Sequence, residues 1–365
     1  MMDLREFLKV LEEERELQKI KAEIDPKHEL GAICKIHNER PNSPALLFEN
    51  VKGHKIPVVG QLLASDRRVA LALGLSQENV FDETVSRAGN PIAPCQVSQG
   101  ACQEVIFEGA DVNLTKLPLC TNDPRDGGPY VTAGHVIIKD PEYGNNLAIY
   151  RMMLVSKNEV TIRFTPGHDG YDFIKNAEKR RQKNFEVAVC IGVPPAVYIA
   201  SQFEPRAGVY ELEIAGGLAG APIDVVKCRT IDLEVPALAE IILEGELTIP
   251  GKDRRRGAVR RVLRLYDGAG AKRAYHDNQS GDPSQEPRLP QHLARQAAAR
   301  ASLRRCAHLR RSGLSRTKAG LSGIAKSLRS AVGRFDCVNP PTGKAFDETG
   351  HREQYSGGVA LHPER

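Results

Sequence analysis

Arg151 is the one cation in the apolar run LAIYRMMLV. So placed, a guanidinium either snorkels at a strand edge or points into a pocket, where its planar fork is suited to gripping a carboxylate. Glu211 and Glu213 alternate in GVYELEIAG. Read as a strand, this segment puts both carboxylates on one face, and the period does not choose between them. Glu240 and Glu244 in AEIILEG stand at i, i+4, the spacing of an acid and base on a helix that starts at Pro236, but they read better as braces of that helix. His168 follows a Pro-Gly turn in TPGHDG and, taken alone, reads as a surface loop residue. His54, His135, Lys175 and Lys183 stand in no constellation and are assigned to solvated faces. The eight Cys form no CxxC pair, which argues against a zinc knuckle or a dense disulfide framework and for a reducing cytoplasm. Cys190 and Cys228 lie in apolar runs and read as small buried hydrophobes. Neither GxGxxG nor GxxxxGK occurs. DGG at 126–128 and AGGLAG at 215–220 read as turns and close-packed strand ends rather than phosphate cradles.

The elements that must position these side chains follow from periodicity. Asp3 can cap a helix whose Leu4, Phe7, Leu8 and Leu11 recur at helical spacing. A strand-like LQKIKAEI follows, then a helix from Glu29 to His37, strands in PALLFENV and KIPVVGQLL, and a helix over 64–75 with Asp66 and the next two arginines on its polar side. These make an N-terminal α/β domain over 1–110. After the turn-rich linker NLTKLPLCTNDPRDGGPY, period-two runs dominate: TAGHVIIKDP, LAIYRMMLVS, VTIRF, FEVAVCIGV, AVYIAS, GVYELEIAG and APIDVVKCRTIDLEV, around one helical stretch over 171–183. The expected fold class is α+β, the second domain (111–250) being β-rich and barrel-like.

Composition divides the chain again. Residues 1–250 carry 27 basic and 36 acidic side chains, whereas 251–365 carry 24 and 10, and 19 of those 24 are Arg. The net charges are −9 and +14, and so uneven a tail, with few apolar anchors, is not expected to fold natively. No run of 18 apolar residues occurs, and the charged helical N-terminus has no signal-peptide pattern, so membrane and secreted classes are not expected.

NNLAIYRMMLVS, TPGHDG, CIGVPPA, GVYELEIAGGLAGAPIDVVKC and DLEVPALAEIILEG, preceded by LREFLKVLEEERELQKIKAEIDPKHELGAI, stand in the order found in the UbiD family of reversible decarboxylases, which the chain resembles over residues 3–250. The resemblance implies a split-barrel-like domain that binds prenylated FMN with Mn²⁺ or Mg²⁺, and K⁺. It implies decarboxylation of an aromatic or α,β-unsaturated acid and a homo-oligomer supplied by a flavin prenyltransferase. Asn146, His168 and Glu211 match the metal ligands, an amide oxygen, imidazole nitrogen and carboxylate that suit a hard divalent ion. Arg151 matches the residue that grips the substrate carboxylate beside the flavin. Ile149, Ser201, Gln202 and Phe203 match positions lining the flavin and its phosphate, towards which Glu211 also contributes through the metal.

Relatives carry an EGPFGE-like segment, with two glutamates that complete the catalytic set, shortly after the step equivalent to Glu244-Gly245. Here RGAVRRV stands in its place, and the Arg/Ala/Ser-rich sequence beyond reads like out-of-frame translation of G+C-rich DNA. The proton-returning glutamate has no occupant, so the chain as written is expected to be inactive. Rival readings are a carboxylase subunit of a multisubunit complex acting on a phenolic substrate, a non-catalytic cofactor-binding subunit, and a nucleic-acid-binding tail. The last is disfavoured because the tail has no aromatic interleaving or recognisable module.

Overall fold

A computed structural model describes residues 1–249, apart from 41, 206 and 207, and the strand Val259–Leu265, in which Leu263 is the only side chain described. Asp3 starts α1 (Leu4–Glu13): its carboxylate accepts from Glu6 N at 2.7 Å, and the Glu6 side chain accepts from Asp3 N at 3.1 Å. Two donors that a helix start leaves free are thereby satisfied. Phe7 and Leu11, one turn apart, are buried together. β1 (Leu17–Ile20) and β2 (Ala45–Phe48) pair in parallel across α2 (Glu29–Asn38), and β3 (Val58–Gly60) joins β2 antiparallel. Ile24, Leu30, Cys34, Leu46, Phe48 and Val51 form the small core of this sheet.

α3 (Asp66–Leu73) is capped by Ser65 and ends at the left-handed Gly74, and α4 (Val80–Ala88) follows. Of the two arginines expected on the polar side of α3, Arg67 is there and pairs with Glu14 at 2.9 Å. Arg68 is not. It stands about 200° round the helix from Asp66, so it points inward, where its Nη1 donates to Glu16 at 2.9 Å and to Ser43 O at 2.7 Å.

The second half is built on a closed antiparallel barrel. Its strands are β5 (Tyr130–Asp140), β6 (Gly144–Ser156), β7 (Glu159–Phe164), β8 (Asn184–Ile191), β11 (Ile241–Thr248) and β12 (Val259–Leu265), in the order β11-β12-β7-β6-β5-β8. Alternate residues fill its interior, among them Val136, Ile138, Met152, Ile162, Val187, Val189, Leu247 and Leu263. The outward residues Ile137, Leu147, Ala188 and Cys190 belong to a larger core shared with α6 (Pro195–Ala200) and α7 (Glu211–Ala219). α5 (Asp169–Lys179) crosses from β7 to β8. β4 (Cys95–Gln96), β9 (Asp224–Lys227) and β10 (Glu234–Pro236) make a separate three-stranded sheet.

Four expectations are corrected. AVYIAS and the segment from Glu211 are helices, α6 and α7, not strands. Short apolar runs carry no decisive period; the Pro194-Pro195 start favours helix in α6, and in α7 close packing outweighs the low helix propensity of its glycines, since a methyl on Gly216 or Gly217 would overlap the backbone of 87–92. AEIILEG is the strand β11 rather than a helix. Glu240, just before β11, pairs with Arg5 at 2.7 Å, and Glu244, within it, accepts from Arg229 N at 2.9 Å and Thr230 N at 2.7 Å, so they brace a strand and its approach rather than a helix. His135 is not solvated: it lies on the covered face of β5, edge-on to Tyr198 with ring centroids 4.8 Å apart. Finally, the fold does not stop near 250, because β12 pairs with both β7 and β11 and closes the barrel. The Arg-rich sequence after Leu265 lies outside the described residues, and so do 256–258 of the RGAVRRV stretch that stands where the glutamates are expected, whereas 259–262 of that stretch form the start of β12.

Candidate functional site

β6 and β7 pair only between Met152↔Ile162 and Ser156↔Glu159, so the first half of β6 has an edge that β7 does not cover. Leu147 N, on that edge, donates to Glu211 Oε2 at 2.7 Å, and Asn146 Nδ2 donates to Glu211 Oε1 at 3.0 Å. The start of α7 therefore docks onto the open edge through one carboxylate. α7 being a helix also settles which glutamate faces inward: Glu211 is buried, whereas Glu213 sits about 200° round the helix and is half-buried.

Asn146 is buried, and its Oδ1 has no hydrogen-bond partner. A buried acceptor without a donor is costly and rare. Glu211 is pushed up to about 8, chiefly by burial and further by the charge of Asp169, while the donors Leu147 N and Asn146 hold it down in part. A neutral carboxyl beside an orphaned amide oxygen is an arrangement that a cation would relieve on both counts.

His168 occupies the N-cap position of α5, immediately before Asp169. Its Nδ1 lies 3.8 Å from Glu204 Oε1. α5 is anchored by Arg180, which donates to Asp140 Oδ2 at 2.8 Å, while Asp140 Oδ1 caps Glu142 N at 2.9 Å. That tie fixes α5 to the β5–β6 hairpin bearing Asn146. Asn146 and Glu211 meet at this open edge, and the charge of Asp169, the residue after His168, reaches Glu211. Among the described residues no three His, Cys, Asp or Glu side chains form a metal-holding group. The candidate set has only two such side chains, with an amide as the third member.

Glu204 follows directly on Ser201, Gln202 and Phe203. Ser201 Oγ donates to Tyr198 O at 2.7 Å and accepts from Gln202 Nε2 at 3.1 Å. Phe203 and Ile149 both pack against the larger core. Arg151 shares the outward face of β6 with Leu147 and Ile149, whereas Asn146, five residues away, is on the other face. Arg151 Nη2 donates to Asp126 Oδ2 at 2.6 Å, and its Cζ lies 3.9 Å from the centre of the Tyr130 ring. Sequence reasoning missed Asp126, Tyr130, Asp169 and Glu204. DGGPY, already marked by its paired glycines, held the signal for the first two, and the last two adjoin residues that had been singled out.

The class of protein that this barrel and site define is found in the comparisons. The family profile described as the 3-octaprenyl-4-hydroxybenzoate carboxy-lyase N-terminal domain matches residues 8–88, and that of the carboxy-lyase Rift-related domain matches 95–274. An evolved dimeric form of the UbiD-class enzyme HmfF from Pelotomaculum thermopropionicum, in complex with prFMN, is 34% identical with a TM-score of 0.66 over 73% of this chain and 64% of that one. Vanillic acid decarboxylase (ShVdcCD) from Sedimentibacter hydroxybenzoicus, in closed form, is 31% identical with a TM-score of 0.67 over 73% and 61%. The apo 3,4-dihydroxybenzoic acid decarboxylase (AroY) from Klebsiella pneumoniae is 28% identical with a TM-score of 0.66 over 73% and 62%.

The chain belongs to the UbiD family. It spans less than two thirds of the length of these relatives. The family match runs on to residue 274, past the point at which the recognised motifs end.

Proposed function

We propose that this chain carries the cofactor- and carboxylate-binding part of a non-oxidative, reversible decarboxylase for an aromatic or α,β-unsaturated acid. The carrying observation is the Asn146–Glu211 pair, a buried carboxyl of raised pKa beside an orphaned amide oxygen at the open edge of β6. With His168 they would hold Mn²⁺ or Mg²⁺, with K⁺ as a companion ion, and the metal would anchor the phosphate of prenylated FMN. Prenylated FMN, when bound, supplies the electron sink into which the scissile bond's electrons pass. The HmfF structures with prFMN and with FMN support that choice of cofactor.

In this reading Arg151 binds and orients the substrate carboxylate, and Ile149 and Phe203 give the flavin an apolar wall that excludes water. Ser201 and Gln202 supply polar contacts at its phosphate end. The family's proton-returning glutamate would have to come from the sequence after Gly245, where arginines stand instead. The absent glutamates also favour a second reading, a non-catalytic cofactor-binding subunit. A carboxylase subunit acting on a phenolic acid is the reading nearest ShVdcCD, a vanillic acid decarboxylase whose name carries more than one component. A cytoplasmic homo-oligomer fed by a flavin prenyltransferase fits either reading.

The test compares the chain as written with one whose frame is restored to give an EGPFGE-like stretch near residue 256. Each is supplied with prenylated FMN and offered vanillate, 3,4-dihydroxybenzoate or an enoic acid. Loss of a proton donor costs about 10²- to 10⁴-fold, so CO₂ release is expected only from the restored chain and should vanish again with Arg151→Ala. Full turnover by the chain as written would overturn the role given to the missing glutamates.

A further inference from the structure

The DGGPY segment before β5 has a task that the proposed chemistry has not used. Asp123 to Asp126 forms a closed turn: Asp126 N donates to Asp123 O at 2.9 Å, and Asp123 N donates to Asp126 Oδ2 at 3.1 Å. The same Oδ2 accepts from Arg151 at 2.6 Å, with the Asp126 side chain only 6% exposed. Beyond the turn, the chain runs flat along the outward face of β6. A methyl on Gly127 would come within 3.1 Å of Met153 Sδ, closer than ordinary contact. Pro129 O then accepts from Leu154 N at 2.9 Å, and Tyr130 enters the sheet opposite Met153. Both ends of the strap are thus fixed to the strand that carries Arg151.

The guanidinium is held on two sides. The Tyr130 ring centre lies 3.9 Å from its Cζ, and Asp126 takes one of its two terminal nitrogens. The strap that fixes its rotation also offsets its charge. A free, fully charged arginine would grip a carboxylate in the ground state, yet decarboxylation discharges that very group. Binding that does not strengthen at the transition state leaves the barrier untouched. We infer that Asp126 is a positioning residue: it aims the remaining N–H groups of Arg151 at a substrate carboxylate and, by sharing the guanidinium, weakens the ground-state hold on that carboxylate. This rests on the carboxylate-binding role proposed for Arg151.

The probe is benzoate, and the readout is protection of Arg151 from phenylglyoxal, an arginine-directed dicarbonyl, mapped by mass spectrometry on the full chain with FMN and Mn²⁺ present. In Asp126→Asn, which keeps the shape and removes the charge, Arg151 should react faster without benzoate and be half-protected at roughly three- to tenfold lower benzoate than in wild type. Asp126→Ala, which removes the aim as well as the charge, should fall between wild type and Asn in protection, and Asp126→Glu should return towards wild type. A purely structural role predicts the reverse, weaker protection in Asn and Ala. Half-protection at equal or higher benzoate in both variants, with wild-type melting curves, overturns the role of Asp126. If benzoate protects neither wild type nor variants, the carboxylate role of Arg151 falls first, and the inference falls with it.

Discussion

Two buried ionisable groups beside the barrel are driven by burial in opposite directions, Glu211 up to about 8 and the His135 imidazole down to about 4. For His135 the backbone of Cys190 and Ala133 offsets the shift in part, but neither ring nitrogen makes a hydrogen bond of good geometry. A histidine whose folded pKa lies below its unfolded value near 6.5 binds fewer protons folded than unfolded between those values, so stability is full above pH 6.5 and falls as pH drops towards 4. A shift of that size corresponds to at most about 3 kcal/mol. His135→Leu should therefore flatten the fall in melting temperature between pH 6.5 and 4 relative to wild type, and an unchanged slope would remove His135 as its cause. None of this was legible in the sequence, where His135 is one polar letter in TAGHVIIKDP. Its burial depends on α6, a helix that the sequence pattern presented as a strand. Asn146 was legible only through family order, since an amide 65 positions from its carboxylate partner leaves no spacing signal.

The barrel strands were readable from alternation over five positions, as in VTIRF, or from a continuous β-branched apolar run, as in FEVAVCIGV. The elements that misled were short and bounded by proline or glycine, where period-two and period-3.6 patterns coincide. β12 was hidden differently: in VRRVLRL adjacent arginines and adjacent aliphatics break the period of two, and an average over net charge hides what remains of it. Its place between β7 and β11, with Leu263 fully buried in the barrel interior, makes it part of the fold. Leu263→Ala should cost about 2–5 kcal/mol, as for other buried leucines. Truncation after 258 should lower the melting temperature further, because β7 and β11 would then carry open edges, whereas truncation after 274 should keep the strand and the stability. Equal melting of the two truncated chains would show that β12 closes nothing.

At the scale of the whole molecule, the charge divide between an acidic part up to residue 250 and a basic part beyond it coincides with the loss of the expected glutamates, not with the end of the family match at 274. No helix among the described residues is long and apolar enough to cross a membrane. α7 docks on the open edge of β6 through Glu211, and the proposed function has this pair, with His168, hold a metal and, through it, a flavin phosphate. The measurement that tests this most directly is a fluorescence titration of FMN into the full chain, with and without Mn²⁺, for wild type and His168→Ala. Wild type should bind FMN more tightly with Mn²⁺ present, and His168→Ala should weaken that Mn²⁺-dependent binding by about tenfold or more, by analogy with losses around other metal sites. FMN binding that is indifferent to Mn²⁺ in wild type, with curves superimposable on those of His168→Ala, would contradict the site.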